Sequence, residues 1–151
     1  MVGLYWEEWD IGAEFVTAER TVTETDMVMF TGLSGDYNPL HVNEEFCKTT
    51  QFGTRILPGP LVYAISAGLL FQLHLYDDTL IAFLGFDSLK FTKHTIPGDT
   101  LHVKVKVLEK RETSKPDRGV MKRSMEVFNQ RGEVVQEGVL AFLIKRNPAD
   151  G

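Results

Sequence analysis

Residues 30–62 read FTGLSGDYNPLHVNEEFCKTTQFGTRILPGPLV, and the predicted architecture is built around this stretch. Its first half places Asp36, Asn38, Pro39 and His41 within six residues. Turn-forming residues at this density predict an irregular segment, not a regular helix or a central strand. Its second half ends in Pro58-Gly59-Pro60, which predicts a helix start because proline suits the first helical position.

The rest of the chain supplies a helix and a sheet around that stretch. From Leu61 to Leu75 the chain is apolar on nearly every side, so we expect a helix that is buried all round. Alternating apolar residues separated by short turns predict antiparallel strands. These strands are expected over residues 14–23, 80–91, 101–107, 120–129 and 134–144, with short helices over 26–33 and 43–48.

An apolar helix beside one antiparallel sheet is best buried when the sheet wraps around it. We therefore expect an α+β hot-dog fold, in which an antiparallel β-sheet surrounds a long buried central helix. We see no linker, internal repeat or low-complexity tract in the sequence. The expected organisation is a single domain over residues 1–151.

Composition and charge narrow the class of protein. The 151 residues carry a net charge of −5, with both signs spread along the chain, so we expect no nucleic-acid partner. The longest apolar run is too short to span a bilayer, so we expect no membrane partner. Cys47 is the only cysteine, which excludes an internal disulfide, and the N-terminus has no apolar signal core. We therefore expect a cytoplasmic protein.

Asp36 and His41 form the candidate acid/base pair. A carboxylate and an imidazole brought together by a tight turn can share one water, so that one group takes a proton while the other supplies one. Histidine suits this work because its ordinary pKa lies near working pH. Asn38 and Pro39 would fix the turn between them. On residue types alone, the alternative that Asp36 is a plain turn residue and His41 a packed ring stays open.

Gly59 is the candidate binding point for developing negative charge. A helix N-terminus leaves backbone N–H groups unpaired and carries a partial positive charge. Glycine lets a ligand approach the backbone closely, so a thioester carbonyl could be stabilised there as it becomes an enolate. The alternative is that Pro58-Gly59-Pro60 merely breaks the chain and starts a helix.

The run from Phe30 to His41, FTGLSGDYNPLH, resembles the signature of the MaoC-like dehydratases, also known as (R)-specific enoyl-CoA hydratases or hydratase 2. Similar segments elsewhere extend the resemblance over nearly the whole chain. They are Gly12, Thr21 to Asp26, Gly59, Ser66 to Leu70 and Pro97 to Thr100.

The resemblance implies a hot-dog fold and reversible syn addition of water to a trans-2-enoyl-CoA, which gives an (R)-3-hydroxyacyl-CoA. Asp36 and His41 match the family's acid/base pair, Asn38 matches a supporting residue, and the Gly59 backbone N–H matches the oxyanion donor. We also expect substrate contacts from a further set of residues: Ser34, Gly35, Pro60, Leu61, Val62 and Ile65. The expected partner is an acyl-CoA, and no cofactor or metal is expected.

The chain departs from the family pattern at Pro58, where histidine is frequent, at Cys47, where alanine or serine is expected, and at Ala67, where serine is frequent. Two other functions stay open on this scaffold, an acyl-CoA thioesterase and a non-catalytic subunit that binds acyl thioesters. A lone hot-dog unit leaves a sheet edge open, so we expect a homodimer or a higher assembly of dimers.

Overall fold

The computed structural model describes residues 2–148. Its elements, after a short 3-10 helix at Trp6–Glu8, are β1 Glu14–Val16, β2 Arg20–Thr21, α1 Glu24–Ser34, α2 Pro39–Val42, α3 Glu44–Cys47, α4 Gly59–Phe71, β3 Leu80–Phe91, β4 Thr100–Glu112, β5 Arg118–Phe128 and β6 Val134–Lys145. The strands form an antiparallel sheet in the order β1-β4-β5-β6-β3, and β2 also pairs with β4.

The core lies between the inner face of this sheet and α4. Strand β4 alternates as the sequence predicts, with Leu101, Val103 and Val105 buried between more exposed neighbours. Helix α4 turns Val62, Leu69 and further apolar side chains into the same core. The predicted hot-dog arrangement, a sheet wrapped around a central helix, is therefore confirmed.

Helix α4 departs from its prediction in two respects. It ends at Phe71 rather than near Leu75, and the chain then turns. Residues 75 and 77 pair instead with the N-terminal segment, since their carbonyls accept hydrogen bonds from Leu4 and Gly3. Burial on every side is also wrong, because Ala64, Gly68 and Phe71 are exposed along the helix.

The first predicted strand is interrupted. In place of one strand over residues 14–23, β1 and β2 each pair with β4. Between them Thr17 departs from regular pairing, because its Oγ1 accepts the Val103 N–H at 2.9 Å and donates to the Ala18 carbonyl. The Thr17 N–H still donates to the Val103 carbonyl, so the side chain takes over one ladder bond, and the regular strand ends there.

Candidate active site

The end of α1 positions Asp36. Thr23 and Asp26 form a capping box that starts the helix, and Gly35 ends it in the left-handed conformation with φ of 74°. Glycine adopts that conformation without steric cost. The Asp36 N–H then donates to the Ser34 Oγ at 3.2 Å, and the Asp36 carboxylate accepts the Asn38 N–H at 3.3 Å. The carboxylate is thus held by its own turn.

Helix α2 carries His41 and replaces part of the irregular segment that the sequence predicts. Asn38 caps it by accepting the Leu40 N–H at 3.0 Å, and Pro39 occupies its first turn. These residues start a helix because a side-chain cap replaces one missing bond and proline has no N–H to leave unpaired. Cys47 is fully buried beneath α2, with its thiol 3.5 Å from the carbonyls of Pro39 and Leu40.

The His41 ring is oriented by one hydrogen bond. Its Nδ1 lies 2.8 Å from the Ile56 carbonyl oxygen, which can only accept, so Nδ1 carries the proton and donates. In the neutral ring Nε2 is then an acceptor, and it lies 3.5 Å from Asp36 Oδ2. Two acceptors facing each other are both satisfied by a water that donates to each. His41 is mostly buried whereas Asp36 is 46% exposed, so the pair opens to solvent on the carboxylate side.

Gly59 begins α4 with an unsatisfied donor. Among residues 2–148, its N–H makes no hydrogen bond, and Pro58 before it offers no side-chain cap. The fully buried Gln136 donates from Nε2 to the Gly59 carbonyl at 3.3 Å and holds this turn against β6. A Cβ at Gly59 would lie 2.5 Å from the Phe91 ring, so only glycine fits beneath that ring.

His41 and Gly59 line the same cavity, which has a volume of about 760 Å³. Pro60, Val62 and Phe91 contribute apolar wall next to them. A polar rim is supplied by Lys93, His94, Arg131 and Glu133. Hydrogen bonds from Lys93, Asn129 and Arg131 lower the pKa of Glu133 to about 2. The cavity therefore joins an apolar interior to a rim of paired charges.

The predicted site residues fall into three groups in the structure. His41 and Gly59 line the cavity, and Asp36 contacts His41. The local backbone is shaped by Asn38, Ser34 and Gly35. Pro60 and Val62 line the cavity. Leu61 and Ile65 instead line a separate depression beside Arg20 and Asp26.

Three residues at the site were not predicted from the sequence: Phe91, Gln136 and Arg131. Each reaches the cavity or Gly59 from a strand or turn far along the chain. The alternation over residues 134–144 places Gln136 at an inward-facing position of the strand. A polar residue at a buried position was the one sequence feature that could have indicated a role for Gln136.

The sheet that wraps a helix defines a hot-dog protein. Its His41–Asp36 pair and the Gly59 N–H lie beside one cavity. The sequence profile described as "MaoC like domain" matches residues 8–128. The chain belongs to this MaoC-like family.

Several relatives and solved structures support that assignment. The chain is 32% identical to the "Uncharacterized protein YdeM" of Bacillus subtilis, over 93% of this chain and 98% of that protein. It is 31% identical to an (R)-specific enoyl-CoA hydratase of Aeromonas caviae, over 75% of this chain and 79% of the relative. It is 32% identical to Protein MaoC of Klebsiella aerogenes over 84% of this chain, but spans only 37% of that relative's length.

Structural likeness covers nearly the whole chain. A structure titled as a monoamine oxidase regulatory protein from Archaeoglobus superposes with a TM-score of 0.92 at 36% identity, covering 98% of both chains. A Mycobacterium tuberculosis protein described as a double hotdog fold superposes with a TM-score of 0.85 at 20% identity, over 97% of this chain and 45% of that one. The second match shows the fold alone.

Proposed function

We propose that this protein is an (R)-specific enoyl-CoA hydratase, also able to run in reverse as a 3-hydroxyacyl-CoA dehydratase. One observation carries the proposal. His41 Nε2 lies 3.5 Å from Asp36 Oδ2, and the cavity next to this pair is also lined by Gly59, whose N–H is unpaired. Hydration of an enoyl thioester needs both a held water and a polarised carbonyl, and these two features supply them.

In the proposed reaction, the thioester oxygen accepts the Gly59 N–H, which stabilises negative charge as it develops there. The water between Asp36 and His41 adds its oxygen to C3 and gives one proton to the pair. A proton held by the pair is delivered to C2, so the product gains one OH and one H on the same face. Positioned proton transfer contributes about 10²- to 10⁴-fold in rate.

The rim of the cavity suits an acyl-CoA. Lys93, His94 and Arg131 stand at its polar side, while Pro60 and Val62 offer apolar wall to the acyl group. Lysine and arginine side chains bind phosphate groups, which coenzyme A carries at the end away from the thioester. Ser34 and Gly35 would act through the Asp36 turn. Leu61 and Ile65 remain predicted contacts of a longer acyl group.

We further propose that the working form is at least a homodimer. Among residues 2–148, strand β3 pairs on one side only, with β6. Its exposed apolar side chains are large: Ile81, Phe83, Leu84 and Phe86 are 37–50% exposed. An unpaired edge strand with apolar side chains is a ready surface for pairing with a second copy.

One assay separates the proposed reaction from its alternatives. Crotonyl-CoA is mixed with the protein while conjugated-enoyl absorbance and free thiol are followed together. A hydratase removes the absorbance without releasing thiol. Thiol release would identify a thioesterase, and tight binding with neither change would identify a non-catalytic binding subunit.

A further inference from the structure

Arg55 joins two helices on either side of the candidate active site. Its side chain is 25% exposed and lies between two carboxylates. Its Nη1 and Nη2 donate to the two oxygens of Glu24, in the first turn of α1, at 2.6 and 3.3 Å. Its Nε donates to Glu44, in the first turn of α3, at 2.9 Å. The guanidinium therefore bridges the starts of the helices that flank the polar turn.

The main chain next to this side chain is held by the same carboxylate. Glu44 also accepts the Thr54 hydroxyl at 2.7 Å and the Arg55 backbone N–H at 3.3 Å. The hydrogen bond from Thr54, followed by those from Arg55, lowers the pKa of Glu44, so this carboxylate is charged at neutral pH. A partly exposed ion pair contributes little to stability, whereas a guanidinium bound through three nitrogens has a well-defined position. The network is therefore better suited to fixing the backbone of residues 54–56 than to stabilising the fold.

Ile56 comes next in the chain and carries the carbonyl that orients His41. Its oxygen lies 2.8 Å from His41 Nδ1. The Ile56 N–H donates to the Leu40 carbonyl at 3.0 Å, but Leu40 belongs to α2 itself and moves with the histidine. The Leu57 N–H donates to the Thr95 carbonyl at 2.8 Å and fixes one side of the same peptide group. The preceding residue supplies the connection to α1 and α3.

The position of the Ile56 carbonyl decides which nitrogen of the His41 ring carries the proton. A free neutral imidazole side chain prefers its proton on Nε2, and an acceptor placed at Nδ1 reverses this preference. With the proton on Nδ1, Nε2 faces Asp36 as an acceptor, and a water that donates to both groups fits between them. With the proton on Nε2, the ring would donate directly to Asp36, and the water would lose one of its two acceptors.

We propose that Arg55 is a positioning residue of the acid/base site. By connecting α1 and α3 to the residue before Ile56, it holds the Ile56 carbonyl where this oxygen keeps the His41 proton on Nδ1. Its effect on the rate rests on the proposed hydratase function, whereas its effect on the ring does not. Arg55 acts through His41 and has no contact with the reacting atoms.

The first test is the kinetics of Arg55→Met, which removes the bridge and keeps a long unbranched side chain. We expect kcat for crotonyl-CoA hydration to fall about 10-fold with little change in KM, because a misoriented base slows the chemical step and not binding. Arg55→Lys keeps a charge that can pair with one carboxylate at a time, so it should recover part of the lost rate.

Arg146 provides a matched control. Its side chain is also 25% exposed and also pairs with two carboxylates, those of Glu7 and Glu112. None of these three residues lines the cavity. Arg146→Met should therefore lower the midpoint of urea unfolding at least as much as Arg55→Met does, and it should keep the wild-type kcat. An equal loss of kcat in the two variants would overturn the proposal.

The second test observes the His41 ring without substrate, by ¹⁵N NMR at a pH where the ring is neutral. The signals of this ring are assigned by their loss in His41→Ala. The wild type and Arg146→Met should both show the proton on Nδ1, whereas Arg55→Met should show a mixture shifted towards Nε2. A wild-type ring protonated on Nε2, or an unchanged ring in Arg55→Met, would show that the inference is wrong.

The two tests also distinguish this inference from the proposed function. If the wild type does not hydrate the substrate and the ring still shifts in Arg55→Met, the proposed function fails and the role of Arg55 in orienting His41 stands. If the wild type hydrates the substrate and Arg55→Met changes neither kcat nor the ring, the proposed function stands and only this inference fails.

Discussion

Gly59 is the residue whose replacement tests the proposed oxyanion site most simply. An added Cβ would meet Phe91 at 2.5 Å, which must displace either the ring or the helix start. We predict that Gly59→Ala lowers kcat/KM by about 10²- to 10³-fold, the usual loss when one oxyanion donor is misplaced. The measurement is steady-state hydration of an enoyl-CoA.

Two companion variants separate this effect from general damage. Gly32→Ala lies inside α1 with no atom near the new Cβ, so it should keep full activity and gain about 0.5–1 kcal/mol of stability. A Gly59→Ala/Phe91→Ala double variant should recover part of the lost rate. Full activity of Gly59→Ala would contradict the assigned role of this backbone N–H.

At the residue scale, the sequence identifies the groups that share one local stretch. Asp36, Asn38 and His41 lie on a single turn, and their spacing alone predicts their proximity. Phe91 and Gln136 reach Gly59 across the sheet. Such relations depend on strand register, which no local pattern specifies.

At the scale of elements, helix α2 positions His41, and Asn38 caps the N-terminus of this helix. We predict that Asn38→Ala costs about 1 kcal/mol of stability and lowers kcat more than it raises KM, because a frayed α2 no longer orients the imidazole. Urea unfolding and steady-state kinetics measure the two effects.

Asn43 provides a matched control for that prediction. It caps the adjacent α3 in the same manner, by accepting the Phe46 N–H at 2.9 Å. Asn43→Ala should therefore lose a similar amount of stability and keep its rate. Equal loss of kcat in both variants would mean that Asn38 has no particular link to His41.

The ends of helices and strands are where the sequence pattern predicts the structure least well. The apolar run through Leu75 predicts a longer helix, yet the chain leaves α4 at Phe71 because the N-terminal segment bonds to the carbonyls of Leu75 and Asp77. The β-branched run over residues 14–23 predicts one strand, yet the Thr17 side chain interrupts it. In both cases a contact with a distant part of the chain decides the outcome over local propensity.

At the scale of the whole molecule, the rim carboxylate Glu133 couples stability to pH. Its pKa is lowered from 4.5 to about 2 by hydrogen bonds from Lys93, Asn129 and Arg131. A carboxyl with a depressed folded-state pKa stabilises the fold above its unfolded pKa and loses that contribution as pH falls through the folded value. Glu133 should thus contribute fully at neutral pH and lose its contribution between about pH 4.5 and pH 2.

Glu133→Gln tests this coupling. Its unfolding midpoint in urea should lie below that of the wild type at neutral pH, and the two midpoints should converge as pH approaches 2. Glu126→Gln is the control, because Glu126 has no ion-pair partner in the part of the chain that the structure describes. A difference that stays constant with pH would contradict the assignment.

The free edge of β3 predicts the assembly state. Light scattering should give about twice the chain mass of 17.1 kDa. Leu84→Lys, at a position 50% exposed on β3, should return the protein to a monomer because a charge is poorly tolerated in a buried contact. Ile11→Lys, at a 66% exposed position outside the sheet, should leave the mass unchanged. A wild-type monomer would contradict this prediction.

Within residues 2–148, no helix has the length and apolar character needed to cross a membrane.

The molecule as a whole is best understood as a sheet and helix that bring a polar turn up against a helix N-terminus. That arrangement could be anticipated because both pieces lie in one stretch, residues 30–62, and the alternating strands after it allow few ways to bury α4.

The most direct test of the proposed reaction is the rate at which crotonyl-CoA loses its conjugated absorbance. The wild type should hydrate it to the (R)-3-hydroxy product, while Asp36→Asn and His41→Ala should each lose about 10²- to 10⁴-fold in rate. Near-wild-type turnover in both variants, or no absorbance loss with the wild type, would contradict the assignment of this pair to the catalytic water.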